Sequence, residues 1–161
     1  MIPLEQINEL PKYHRATIIP DYLDAMGHMN IRWYMAIFDD AAWKFFATIG
    51  MDIDYYQQEQ AGGFALQHFI RYLAEVRLGE TVVVHTRVLG RSSKRVHFML
   101  FMVNETTGVL AATLEALGSH ADMRVRRTSP YPPLIAKQID TILRAHSNLS
   151  WDAPVCGVIQ P

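Results

Sequence analysis

The chain has one cysteine, Cys156, among 161 residues. A single thiol excludes an intramolecular disulfide and leaves no cysteine cluster for a zinc site, which fits a reducing compartment, the cytoplasm. An excess of charge of one sign is also missing: 15 Lys and Arg stand against 16 Asp and Glu. That balance gives no reason to expect nucleic acid or a membrane surface as a partner, so any anion site must be local. No run approaches the roughly 20 apolar residues of a membrane-spanning helix. The N-terminal residues, interrupted by Pro3, Glu5, Glu9 and Pro11, lack the basic start and continuous apolar stretch of a secretory signal. The histidines show no metal-ligand spacing such as His-Glu-x-x-His, and neither metal nor organic cofactor is expected.

What is present is apolar residue in quantity. Half of the chain is hydrophobic, enough for a genuine core in about one domain's length. A single domain, 1–161, is therefore expected, with a core at about 13–130 and a C-terminal helix and tail over 131–161. After a proline-bounded turn or single helical turn in residues 1–12, Arg15 to Ile19 reads as a short strand broken by Pro20-Asp21. From Ile31 the apolar positions Tyr34, Ile37, Phe38, Ala41, Ala42, Phe45, Phe46 and Ile49 recur at helical spacing. Asn30 is the expected N-cap and Gly50 the stop. Asp40 and Lys44, four apart and off the stripe, suit a solvated ion pair.

Four β-like runs follow: Phe64 to Arg77, Thr81 to Leu89, Arg95 to Val103, and Val109 to about Arg126. Leu78-Gly79-Glu80, Gly90 to Lys94 and Asn104 to Gly108 carry hairpin chemistry, so an antiparallel meander is expected. In the third run Val96, Phe98, Leu100 and Met102 alternate with Met99, Phe101 and Val103, so both faces are apolar. Either the strand lies in the middle of a well-covered sheet, or its far face is a subunit interface. Pro130, Pro132 and Pro133 end the sheet. Leu134, Ile135, Ile139, Ile142 and Leu143 outline a second amphipathic helix ending near His146.

Chemistry concentrates in Tyr22-Leu-Asp24-Ala-Met-Gly27-His28-Met-Asn30, where strand becomes helix. Taken alone, these residues fit an Asx turn at Asp24, a bend at Gly27 and an ordinary cap at Asn30. They also admit a carboxylate set beside backbone donors. A strand, an Asp-x-x-Gly-His-x-Asn turn, a long buried helix with Trp33-Tyr34 and its alanines, and antiparallel strands, in that order, resemble the hotdog-fold acyl-CoA thioesterases of the hydroxybenzoyl-CoA thioesterase type. The resemblance spans roughly residues 13–130. It departs from the family pattern at Tyr22, where many members carry an acidic residue, and at Ile31, where many carry a second asparagine.

That resemblance implies an α+β hotdog fold, an antiparallel sheet wrapped around one long central helix, and hydrolysis of an acyl-CoA to free acid and coenzyme A. Asp24 would be nucleophile or general base, and the backbone amides at Gly27 and His28 would stabilise the oxyanion. Asn30 completes the expected catalytic set. Tyr22, Ile31, Trp33, Tyr34, Phe64, Gln67 and His68 are expected to line the substrate pocket. Asp39 and Asp40 are weak candidates for a carboxylate on the helix. Arg87, Arg91, Lys94, Arg95, Arg124, Arg126 and Arg127 cluster in sequence and suit the phosphates of coenzyme A. Arg91, Ser92, Lys94 and Arg95 form the expected contact. His85 and His97 fit satisfied or exposed sheet histidines. The family's usual assembly implies a homodimer or a tetramer of two dimers. Acyl groups on acyl carrier protein, or non-catalytic acyl-CoA binding, are the alternatives.

Overall fold

The computed structural model describes residues 2–161. In chain order the elements are α1 (Leu4–Ile7), β1 (Lys12–Thr17), a 3-10 turn (Pro20–Tyr22), α2 (Ile31–Thr48), α3 (Ile53–Gln58), β2 (Ala61–Tyr72), β3 (Thr81–Arg91), β4 (Arg95–Asn104), β5 (Val109–Asp122), β6 (Arg127–Thr128) and α4 (Pro133–Ser147). The strands form one sheet in the order β1-β3-β4-β5-β2, with β6 added to β5. The expected meander therefore holds only for β3 to β5. β2 pairs beyond β5 because the chain after it is no hairpin: Leu73 to Glu80 leaves the strand, and the Leu73 and Ala74 amides both donate to Ala111 O, at 2.8 and 3.1 Å.

Both ends of α2 follow from local sequence. Asn30 Oδ1 accepts the Arg32 N–H at 3.1 Å, the cap bond expected of an asparagine there. At the other end Gly50 adopts φ +90°. The Gly50 amide donates to Ala47 O and that of Met51 to Phe46 O, the paired bonds of a Schellman stop that glycine permits.

The chain gathers into two compact units, Met1–Lys44 with Ile70–Thr86 and Leu100–Leu114, and Phe45–Phe69 with Arg87–Met99 and Glu115–Pro161. In the first, β1 pairs antiparallel with β3, Arg15 opposite Val83 and Thr17 opposite Thr81. Tyr34, Ile37, Phe38 and Ala41 of α2 are buried there, as are Val82 to Val84 and Leu100 to Val103. In the second, Phe98 meets Phe45 and Phe46 at 6.1 and 5.5 Å between ring centroids. Ile135 and Ile139 of α4 are buried.

Several expectations shift. Every residue of β4 from Val96 to Asn104 is buried within the single chain, so the covered-strand account of its two apolar faces is the one observed. The first strand lies at Lys12–Thr17 instead of Arg15 to Ile19, and β3 runs on to Arg91, moving the turn from Gly90 to Ser92 and its neighbours. Neither α3 nor β6 was expected; α3 starts where Asp52 Oδ1 accepts the Tyr55 N–H at 2.8 Å. Leu134 is exposed and leaves the buried stripe of α4. The Asp40–Lys44 pair gives way to His14, whose Nε2 lies 3.6 Å from Asp40 and whose Nδ1 meets Lys44 Nζ at 2.6 Å. Two helical neighbours can reach a third group more easily than each other when a β-strand presents a ring between them.

Candidate active site

The turn between the 3-10 segment and α2 is held by its own backbone. Gly27 N–H donates to Asp24 O at 3.0 Å, and Asp24 N–H to His28 O at 3.0 Å. Gly27 takes φ +80°, and a Cβ there would meet nothing within 4 Å, so glycine is required by conformation and not by crowding. Met29 then donates to Val76 O at 2.7 Å and Asn30 to Tyr22 O at 2.9 Å.

Asp24 is fixed at both oxygens. Oδ1 accepts the Met26 N–H at 2.8 Å, an Asx turn. Oδ2 lies 3.3 Å from His28 Nε2. The other face of the same imidazole is also acidic, with Nδ1 3.5 Å from Glu75 Oε2. Glu75 in turn accepts from Arg77 Nε at 2.9 Å and from its Nη2, and these bonds hold its carboxyl below the ordinary carboxylate range. The site thus contains a chain of polar contacts that runs from Asp24 through His28 and Glu75 to Arg77.

One expected donor is withdrawn. The Gly27 N–H is spent inside the turn, so it is not available to an oxyanion. The His28 N–H has no partner among the described residues, and it alone of the two keeps that capacity. Nor does the turn open directly onto the helix, because Met29 and Asn30, both bonded through their amides, intervene.

Of the expected pocket residues, Tyr22 stacks on Trp33 at 4.0 Å between centroids, 18° from parallel. Tyr34 is buried, reaches Ala74 O through its hydroxyl at 3.3 Å, and meets Tyr72 edge-on at 5.1 Å. Ile31 is 65% exposed. Asn30 serves as the cap described above. Asp39 and Asp40 are exposed. The residues that sequence reasoning missed are Glu75 and Arg77. Their alternation with Ala74 and Val76 reads as a strand, and only the bonds to Met29 and Ala111 reveal a loop folded back on the Asp24 turn.

Residues 19–139 match the profile of the thioesterase-like superfamily. The chain belongs to that superfamily. Among curated relatives it is 31% identical over 144 residues to the L-carnitine dehydrogenase/betainyl-CoA thioesterase of Agrobacterium fabrum, covering 89% of this chain and 28% of that protein. The match to the corresponding Rhizobium meliloti protein covers 26% of it, so the chain spans about a quarter of the length of these two relatives. It is 27% identical to the betainyl-CoA thioesterase of Pseudomonas aeruginosa, over 91% of this chain and 92% of that one. Among solved structures, a Staphylococcus aureus protein in complex with coenzyme A superposes with a TM-score of 0.84 at 24% identity, covering 94% and 96% of the two chains. A 1,4-dihydroxy-2-naphthoyl-CoA thioesterase from Synechocystis superposes at 0.71 with 11% identity, over 81% and 96%. The α+β hotdog fold expected from the sequence is the fold these structures share with this superfamily member.

The remaining expected residues of this thioesterase-like chain, His85 apart, fall in the second unit. Phe64 is half-buried, and Gln67 and His68 are exposed along β2. Arg91 is withdrawn from the expected coenzyme A contact: its Nε and Nη2 donate to the two oxygens of Asp140, each at 2.6 Å, a bidentate pairing that uses the whole fork. Arg87 is buried, donating to Trp151 O at 2.7 Å and His146 O at 3.2 Å, and Arg124 clasps Asp122. Ser92 Oγ accepts the Arg95 N–H at 3.2 Å. Lys94 and Arg95 are exposed. His85 and His97 are buried and bonded, to Leu10 O and Glu115 at 2.9 Å each. Among the described residues no group of three or more His, Cys, Asp or Glu could hold a metal ion, and no helix is long and apolar enough to cross a membrane.

Proposed function

We propose that this chain is an acyl-CoA thioesterase in which Asp24 acts as nucleophile or general base. The observation that carries the reading is the meeting, in one turn of a thioesterase-like chain, of an oriented carboxylate and an unpartnered backbone donor. In the general-base route a water oxygen attacks the thioester carbonyl carbon while its proton passes to Asp24. The oxygen that becomes negative is met by the His28 N–H, an interaction worth on the order of 3 kcal/mol in acyl transfer. The C–S bond then breaks and the departing thiolate takes up the proton. In the covalent route the carboxylate itself attacks, and water later cleaves the resulting anhydride.

The carrier reading is supported by the coenzyme A bound to the S. aureus structure and by the relatives' names. For the acyl group, the betainyl-CoA relatives point to a small cationic acid. The Tyr22–Trp33 aromatic pair, over which the Arg32 guanidinium lies 5.4 Å from the Trp33 centroid, is a surface of the kind that attracts a cation. An acyl carrier protein as carrier and non-catalytic acyl-CoA binding are the competing readings. The assembly is proposed to be a homodimer or a pair of dimers. β2 ends the sheet, and its Leu66 and Phe69 are 40% and 39% exposed, an edge that a second copy would cover.

A thiol-release assay over a panel of acyl-CoAs, including betainyl-CoA, and matching acyl carrier protein thioesters tests the activity, the carrier and the acyl group. Release from coenzyme A thioesters that is largely lost in Asp24→Asn, which keeps the Asx bond, is the expected result. Binding without release supports the non-catalytic reading instead.

A further inference from the structure

We propose that Glu75 is a positioning residue for the reaction, acting on Asp24 through His28; this rests on the reading of Asp24 given above. His28 faces a carboxylate oxygen from each ring nitrogen, Asp24 at 3.3 Å and Glu75 at 3.5 Å. Glu75 therefore fixes the plane of the ring that meets Asp24. Without Glu75 the ring is free to turn, and Asp24 loses the group that faces its Oδ2.

The loop bearing Glu75 is built to deliver it. Its backbone is pinned to three elements: Met29 donates to Val76 O, Leu73 and Ala74 donate to Ala111 O, and the Tyr34 hydroxyl donates to Ala74 O. Glu80 closes the loop by accepting from the Arg77 N–H and from Asn104 Nδ2, each at 2.8 Å. Arg77 then occupies the Glu75 oxygen that does not face His28. The side chains themselves carry little of the fold. Glu75 is 49% exposed and Arg77 67%, and an exposed pair of this kind contributes little to stability. A braced backbone presenting exposed side chains to the Asp24 turn is the arrangement of a loop kept for what its side chains do.

The experiment compares wild type, Glu75→Gln, His28→Asn, the double variant and Asp24→Asn in thiol release. Glu75→Gln is expected to lower kcat by about 10- to 100-fold, the usual cost of losing a group that orients a working side chain, while KM and Tm stay where they were. Because Glu75 acts through His28, adding Glu75→Gln to His28→Asn is expected to change kcat no further. An unchanged kcat in Glu75→Gln, or an equal loss in both backgrounds, overturns the proposal. Asp24→Asn separates the two ideas: if it retains wild-type release, the reading of Asp24 fails whatever Glu75 does. Nitrogen NMR of the His28 ring gives a readout without turnover. Ring-nitrogen signals that change between wild type and Glu75→Gln are the expected result; an identical ring signal in both overturns the proposal even if no substrate is found.

Discussion

Asp24 Oδ1 accepts the Met26 amide proton at 2.8 Å, so the proposed catalytic carboxylate is also the residue that closes its own turn. A structural role and a chemical one therefore coincide, and Asp24→Ala confounds them. Asp24→Asn does not, because an asparagine oxygen keeps the Asx bond. It is expected to leave stability within about 0.5 kcal/mol of wild type, measured by urea unfolding, and to lower kcat by roughly 10²- to 10⁴-fold, the range for losing a general base. An Asn variant that unfolds early would show that the charge, and not the turn, stabilises the loop.

Gly27 and Gly108 make a matched pair. Both have positive φ, +80° and +69°, and at neither would a Cβ meet an atom within 4 Å. Gly27→Ala and Gly108→Ala should each cost about 1 kcal/mol of conformational strain, a drop of roughly 2–4 °C in Tm for a chain of this size. Only Gly27→Ala should lower kcat/KM beyond that, since its methyl would stand in the open space beside the His28 N–H where a carbonyl has to approach. Equal activity in the two variants would place substrate elsewhere.

These two tests rest on features that were legible in the sequence, and for the same reason: they are local. The α2 stripe, the Asn30 cap, the Gly50 stop and the Asp24 turn are each decided within a few residues, where spacing and side-chain chemistry suffice. What was illegible depends on partners far along the chain. Arg91 looked like a phosphate ligand until Asp140, 49 residues away, took its fork. Lys44 was assigned to Asp40 although His14, 30 residues away, reaches it. Glu75 and Arg77 alternate with apolar neighbours just as a strand would, so nothing within their own segment announces the loop.

A buried carboxylate sits in the second unit with no part in the proposed chemistry. Glu115 is fully buried; His97 Nε2 meets its Oε1 at 2.9 Å and the Cys156 N–H donates to its Oε2 at 2.6 Å. Removing one member of such a pair leaves a buried polar atom of the other without its hydrogen bond, which costs about 1–3 kcal/mol. His97→Ala should show that loss in urea unfolding. Glu115→Ala should in addition release the tail, so the Cys156 thiol should react faster with a thiol reagent under native conditions. A thiol rate equal to wild type would mean that Trp151 and its neighbours hold the tail without Glu115.

His146 makes stability fall in mild acid. It is buried, its Nδ1 accepts the Val88 N–H at 2.9 Å, and Arg87 lies against its carbonyl. Protonation would destroy that acceptor and set a second cation beside Arg87. Burial first, and Arg87 second, push its pKa down from the ordinary 6.5 to about 4. Between those values the unfolded chain binds the proton and the folded chain does not, so the stabilisation is complete above pH 6.5 and is lost as pH falls toward 4. His14, His85 and His120, lowered by burial as well, act in the same direction. Tm should therefore drop from pH 7 to pH 5 in wild type and drop less in His146→Gln, whose side chain does not titrate. The same drop in both proteins would assign the acid sensitivity to the other three histidines and remove His146 from it.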